Sequence, residues 1–120
     1  MGTYRELIAY QKAYSLAMAI YSRTKTFPTE EKYDLISQIR RSARSVCSNF
    51  AEAYLRRKYP DHFRSKLNDC QAENCEVQVC LDFAKDCGYL NETEYNEYSD
   101  KNTEVGKLLR YMIFNLEKFI

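Results

Sequence analysis

Glycine and proline are scarce in this chain, with three and two in 120 residues. Sandwiches and barrels need many turns, and Gly and Pro are the usual turn residues, so their scarcity favours long helices. No apolar run approaches the ~18 residues of a membrane-spanning helix. The first residues, Met1-Gly2-Thr3-Tyr4-Arg5-Glu6, lack the apolar stretch of a secretory signal. Glu6 stands where a myristoylation pattern requires Ser or Thr. A soluble, cytoplasmic protein with no membrane partner is expected. Tryptophan is absent and histidine occurs once, at His62.

The chemistry of most enzyme classes is missing as well. There is no Gly-rich phosphate loop ending in Lys-Ser/Thr and no Gly-x-Ser-x-Gly elbow. Glu73-Asn74-Cys75-Glu76 spaces two carboxylates as a di-iron bundle would, but without the histidine such sites use. Glu73 then reads as a solvated helix face, and His62 as a surface residue beside Asp61. Cys47, Cys70, Cys75, Cys80 and Cys87 are odd in number and match no zinc spacing. They read as reduced thiols that pack like small hydrophobes. The expectation is a non-enzyme with no metal, no cofactor and no small-molecule substrate.

What is present is four stretches of helical periodicity, enough for one domain over residues 1–120. Helix one is expected from about Glu6 to Thr26, with Leu7, Tyr14 and Tyr21 a heptad apart and Tyr10 and Ala17 between them. Phe27-Pro28 breaks it, and Thr29 offers an N-cap for helix two, about Glu30 to Arg57. Its apolar series are Ile36, Ala43, Phe50 and Ile39, Val46, Ala53. Pro60 opens helix three, about Asp61 to Cys87, with Phe63, Cys70, Val77, Ala84 and Leu67, Asn74, Leu81. Asn74 in that seam reads either as a register-fixing polar residue or as an edge residue reaching water. Gly88 suits a left-handed helix end, and Asn91 with Glu94 suits a capping box for helix four, which runs to about Lys118. Similar lengths and short connections predict an all-α fold, an antiparallel up-down-up-down four-helix bundle.

Charge is uneven although the net is +1. From Lys32 to Lys66 there are nine Lys/Arg against three Asp/Glu; from Leu67 to Val105 there are two against ten. Arg40, Arg41, Arg44, Arg56, Arg57 and Lys58 are candidates for contact with nucleic-acid phosphates. Tyr54 and Tyr59 lie among them and could stack on bases. The same pattern fits solvated faces with salt links, or head-to-tail assembly of basic on acidic faces. Arg41, Ser45, Ser48 and Glu52 form a polar outer line on helix two, flanked by Arg40 and Asn49. That line is either plain surface or a contact for another subunit or RNA. Tyr10, Tyr14, Tyr21, Tyr95 and Tyr98 fall at core-type positions with hydroxyls at the rim.

Helix two reads Ser37-Gln38-Ile39-Arg40-Arg41-Ser42-Ala43 and then Ser45-Val46-Cys47-Ser48-Asn49-Phe50-Ala51-Glu52. This resembles the signature of the bacterial four-helix-bundle proteins encoded in 23S rRNA intervening sequences. The resemblance extends to Tyr10-Gln11-Lys12-Ala13, Phe27-Pro28 with Glu31, Tyr33, Glu76, Gly88-Tyr89-Leu90 and Glu94-Tyr95, so it covers nearly the whole chain. Cys47 replaces a usual Pro, which implies a straighter helix two, and Ala53 replaces a usual Gly, which argues against a close backbone approach after Glu52. Asn68, Asp69, Gln71 and Asn74 make helix three more polar than is usual. The resemblance implies a homopentameric ring, with Ser45, Ser48, Asn49, Glu52 and Glu76 as subunit-contact candidates. A related branch, the accessory proteins of diversity-generating retroelements, is strongly basic and binds a reverse transcriptase and nucleic acid. This chain lacks that charge, so two expectations stand: an oligomeric scaffold with RNA/DNA affinity, or a protein-interaction accessory module without direct nucleic-acid binding.

Overall fold

A computed structural model describes residues 2–120. Four helices dominate: α1 (Ile8–Thr24), α2 (Leu35–Leu55), α3 (Pro60–Asp86) and α4 (Glu92–Ile113). Each packs on its sequence neighbour, and α1 closes the bundle against α4. The contact between α2 and α3 is the most extensive. The result is an elongated body of 44 × 25 × 20 Å.

The helix ends follow the local chemistry. Pro60 occupies the first turn of α3, where a missing N–H costs nothing. Gly88 has φ of 81°, and beyond it the Tyr89 N–H returns to the Ala84 carbonyl while the Gly88 N–H bonds that of Lys85. This is a Schellman end, which needs a left-handed residue. Asn91 Oδ1 accepts from the Glu94 N–H at 2.8 Å and Glu94 Oε1 accepts from the Asn91 N–H at 3.1 Å, completing the expected capping box.

Three expectations need correction. Thr29 caps nothing: residues Thr29–Glu31 form a 3-10 turn and α2 begins at Leu35. Glu31 does that work, accepting from the Leu35 N–H at 3.3 Å while the Tyr89 hydroxyl donates to its other oxygen at 2.7 Å. Helix four stops at Ile113. Asn115 donates to the Tyr111 carbonyl, and a 3-10 turn, Leu116–Phe119, then swings Leu116 into the core.

The third correction concerns the face of α1. The buried residues are Ala9, Ala13, Leu16, Ile20 and Thr24, about a third of a turn from the Leu7–Tyr14–Tyr21 stripe at 100° per residue. Tyr14 is 52% exposed. Alanine and aliphatic side chains take the interior because tyrosine hydroxyls would need buried partners. The tyrosine stripe lies on the shoulder between α1 and α2, where the Tyr10 ring packs 6.1 Å from that of Phe50. On α2 and α3 the predicted apolar core positions hold: Ile36, Ile39, Ala43, Val46, Phe50 and Ala53 are buried, as are Phe63, Leu67, Cys70, Val77, Leu81 and Ala84, while Tyr95 and Tyr98 on α4 are half-buried. α2 runs unbroken through Cys47. No helix of the described residues is long and apolar enough to cross a membrane.

Candidate nucleic-acid and subunit-contact surfaces

The six candidate cations fall into two groups. Arg40, Arg41 and Arg44 lie in the body of the helix. Arg40 turns to α1, where its Nε donates to Thr24 Oγ at 2.9 Å and its Nη2 to the Tyr21 carbonyl at 3.2 Å. Its guanidinium also lies 4.6 Å from the Tyr21 ring centroid. A cation at the last carbonyls of α1 complements the negative end of that helix. Thr24 passes its own proton to the Ile20 carbonyl, so this buried hydroxyl both donates and accepts. Arg41 turns to α3 and donates to both oxygens of Glu76, at 2.7 and 2.9 Å, and more weakly to Glu73 at 3.5 Å. That hydrogen bonding holds the Glu76 carboxyl below its ordinary range and raises Arg41. Glu73, expected to be solvated, is thus an interhelix partner. Arg44 is exposed, 5.8 Å from the Tyr21 ring.

Arg56, Arg57 and Lys58 form the second group, in the turn joining α2 to α3. Arg56 and Lys58 are exposed. Arg57 donates to the Tyr54 carbonyl at 2.9 Å and lies 4.1 Å over the Tyr54 ring. Tyr59 is exposed, its ring 6.1 Å from that of His62 in an edge-to-face arrangement.

The alternating direction of the helices places the start of α1, the end of α2, the start of α3 and the end of α4 at one end of the bundle. Arg5, Arg64, Arg110 and Lys118 therefore join Arg56, Arg57 and Lys58 there, against Glu6, Asp61 and Glu117. The opposite end carries Glu30, Glu31, Asp34, Asp86, Glu92 and Glu94 against Arg23, Lys25, Lys32 and Lys85. Charge is thus sorted along the long axis of the molecule. Arg5, Arg110 and Lys118 were not among the sequence candidates because they lie far from the turn in the chain; only the topology brings them to it.

Two of the subunit-contact candidates are held within the chain. Glu76 is bound by Arg41, and Glu52 pairs with Lys66 Nζ at 2.9 Å, which lowers the carboxyl and raises the amine. Asn49 donates to the Ser45 carbonyl at 2.9 Å, and Ser48 does so at 3.4 Å. Ser45 and Ser48 line open grooves on the outer side of α2. One of about 560 Å³ runs between α1 and α2 past Tyr14, Met18 and Ser48. Another, of about 540 Å³, runs past Tyr33, Ser37 and Ser45.

Sequence reasoning also missed a clasp at the acidic end. Arg23 Nε and Nη2 grip the two oxygens of Glu94 at 2.8 and 3.0 Å, and Nη2 also reaches the Tyr89 carbonyl at 2.8 Å. The Arg23 hydrogen bond, with that of the Asn91 N–H, pulls the Glu94 carboxyl down to about 2. Three of the five free thiols, Cys47, Cys70 and Cys80, are buried, and burial pushes them up to about 11, 12 and 11. A thiol so shifted has little thiolate at neutral pH and is inert.

A structure of a protein of unknown function from the S23 ribosomal protein family of Bacteroides thetaiotaomicron VPI-5482 superimposes with a TM-score of 0.81. It is 27% identical, and the match covers 88% of this chain and 95% of that one. No curated protein matches this chain. The family model for the 23S rRNA-intervening sequence protein matches residues 5–111, nearly the whole bundle with its charged α2–α3 turn, and the chain belongs to that family.

Proposed function

We propose that this chain is a non-enzymatic, cofactor-free scaffold of the cytoplasm that assembles with copies of itself into a ring and meets RNA or DNA through the basic end of the bundle. The observation that carries this reading is the gathering of Arg5, Arg56, Arg57, Lys58, Arg64, Arg110 and Lys118 at one end. Phosphate contacts dominate nucleic-acid affinity and ask only for such a cluster of cations. Arg40 and Arg41, which the sequence ranked with them, serve instead to tie α2 to α1 and α3. The grooved outer side of α2 with Ser45 and Ser48 supports self-assembly, and the resemblance of the sequence to ring-forming bundles supplies five as the number of copies.

Light scattering across concentration tests the assembly, and a monomer at every concentration defeats it. Binding of a structured RNA fragment, followed across salt, tests the basic end. Affinity should fall steeply with salt, and Arg56→Ala with Lys58→Ala should flatten that fall.

A second reading draws on the apolar side chains at the same end. Leu55, Tyr59, Phe114 and Ile120 are all strongly exposed there. They favour an accessory role in which the basic end docks on a nucleic-acid-processing protein. No RNA or DNA binding at low salt would select that reading.

A further inference from the structure

The outer faces of α2 and α3 differ in shape and charge. On α3 the outward line Cys75, Val79 and Phe83 is an apolar ridge, with Val79 46% and Phe83 60% exposed. Its charged neighbours are acidic, Asp82 and Asp86, because Lys85 turns away to Glu92 on α4. On α2 the groove past Tyr33 is floored by Ser37, Ser45 and Ser48; of the four cations at its edge, Arg40 and Arg41 are engaged with α1 and with Glu76, which leaves Lys32 and Arg44 to face outward. An apolar ridge edged with acid and a serine-floored groove edged with base are complementary.

The two faces also match in height. The register between α2 and α3 is set by Arg41 with Glu76, the Val46 carbonyl with Cys70, and Glu52 with Lys66. Within the helices it places Cys75 level with Ser42 and Val79 with Gln38, and Phe83 and Asp86 at the end of α3 lie at the same end of the bundle as Lys32 and Tyr33, just before α2. A neighbouring copy set side by side, without sliding along the axis, therefore brings the Phe83 and Asp86 end of its ridge to the Lys32 and Tyr33 end of the groove. Tyr33 is 85% exposed, with Lys32 Nζ 5.5 Å from its ring centroid. Outward directions from adjacent corners of a four-helix bundle differ by roughly 90°. A contact joining two such faces turns each copy relative to the last, and with no axial shift it closes a small ring and not a filament.

We infer that self-assembly is head-to-tail, with the α3 ridge of Cys75, Val79 and Phe83 on one copy seated in the α2 groove of Tyr33, Ser37 and Ser45 on the next, and Asp86 facing Lys32 across the contact. This rests on the self-assembly proposed above and names its two unlike faces. It also separates the roles of the cations: Lys32 and Arg44 along the groove meet a second copy, and those at the basic end remain open to nucleic acid.

Light scattering and sedimentation velocity of the full chain and four variants test it, with circular dichroism to confirm helix content. Phe83→Asp should reduce the assembly to monomer, since the side chain is exposed and its loss leaves the core intact. Lys32→Glu and Asp86→Lys should each weaken association at least tenfold, and the double variant carrying both should recover it. Single and double variants that assemble like the parent overturn the assignment of these faces while leaving self-assembly standing. Singles that dissociate without recovery in the double variant also overturn it. A parent chain that is monomeric throughout removes both the assignment and the self-assembly on which it rests.

Discussion

Asn74 on α3 and Asn102 on α4 hold each other by a reciprocal amide pair. Asn74 Nδ2 donates to Asn102 Oδ1 at 2.8 Å and to the Asn102 carbonyl at 3.1 Å, while Asn102 Nδ2 donates to the Asn74 carbonyl at 3.0 Å and to Gln78 Oε1 at 3.3 Å. Asn102 is 3% exposed, so water does not compete. Gly106 makes room for the pair: a Cβ there would stand 2.9 Å from Asn74 Oδ1. Of the two sequence readings of Asn74, the polar register device is the one the structure adopts.

The first prediction follows from that pair. Asn102→Ala leaves Asn74 Nδ2 only the Asn102 backbone carbonyl and removes the donor to the Asn74 carbonyl and to Gln78 Oε1, and an unsatisfied buried polar group costs roughly 2 kcal/mol. Urea unfolding should show a lower midpoint with an unchanged slope. Gly106→Ala should act in the same direction by pushing Asn74 aside. A midpoint unchanged in Asn102→Ala would show that the pair is not satisfied in solution.

The second prediction concerns pH. Glu94 ionises near 2 in the folded chain, against an ordinary 4.5, because Arg23 and the Asn91 N–H bond its carboxylate. A depressed carboxyl binds its proton more readily when unfolded, so its contribution is complete above about pH 5 and is lost as pH falls toward 2. Thermal unfolding between pH 7 and pH 2 should show this acid loss. Glu94→Gln should be less stable at pH 7 and should show a shallower acid slope than the parent. Parallel curves for the two would remove the clasp from the account.

How far the sequence disclosed these features depended on the kind of interaction. Apolar periodicity located the core faces of α2 and α3 because aliphatic and small residues have one reason to be inside. It misread α1 because tyrosine serves both a core edge and an exposed shoulder, and Leu7–Tyr14–Tyr21 repeats as evenly as a true seam. The Asn91–Glu94 box was visible because its partners are three residues apart. Arg23–Glu94, Arg40–Thr24 and Arg41–Glu76 were not, because long side chains choose partners by helix packing, which no local pattern encodes. Charge runs along the chain likewise gave a basic helix two, where the fold makes a basic end.

The third prediction uses the cysteines. Cys75 and Cys87 are exposed and the other three are buried with raised thiols. Ellman's reagent on dilute native protein should titrate two thiols quickly and the remaining three after denaturation. At concentrations where copies associate, Cys75 alone should slow, because it lies on the α3 ridge, while Cys87 beyond the helix end stays reactive. Equal slowing of both would place the contact elsewhere.

The last prediction separates cations that bind from cations that build. Each single-strand phosphate contact contributes about 0.7 to the slope of log affinity against log salt. Removing Arg56 and Lys58, both exposed in the α2–α3 turn, should therefore lower the slope by about 1.4 while leaving the melting temperature nearly unchanged. Arg40→Ala should do the reverse. Its guanidinium is bonded to Thr24 Oγ and the Tyr21 carbonyl and lies over the Tyr21 ring, so its loss loosens α1 from α2 and lowers the melting temperature. The salt slope of the folded fraction should stay that of the parent, because this side chain is turned inward and meets no phosphate. A slope reduced by Arg40→Ala and untouched by the turn variants would move the nucleic-acid surface from the end of the bundle to its side, where it would compete with the second copy for the same groove.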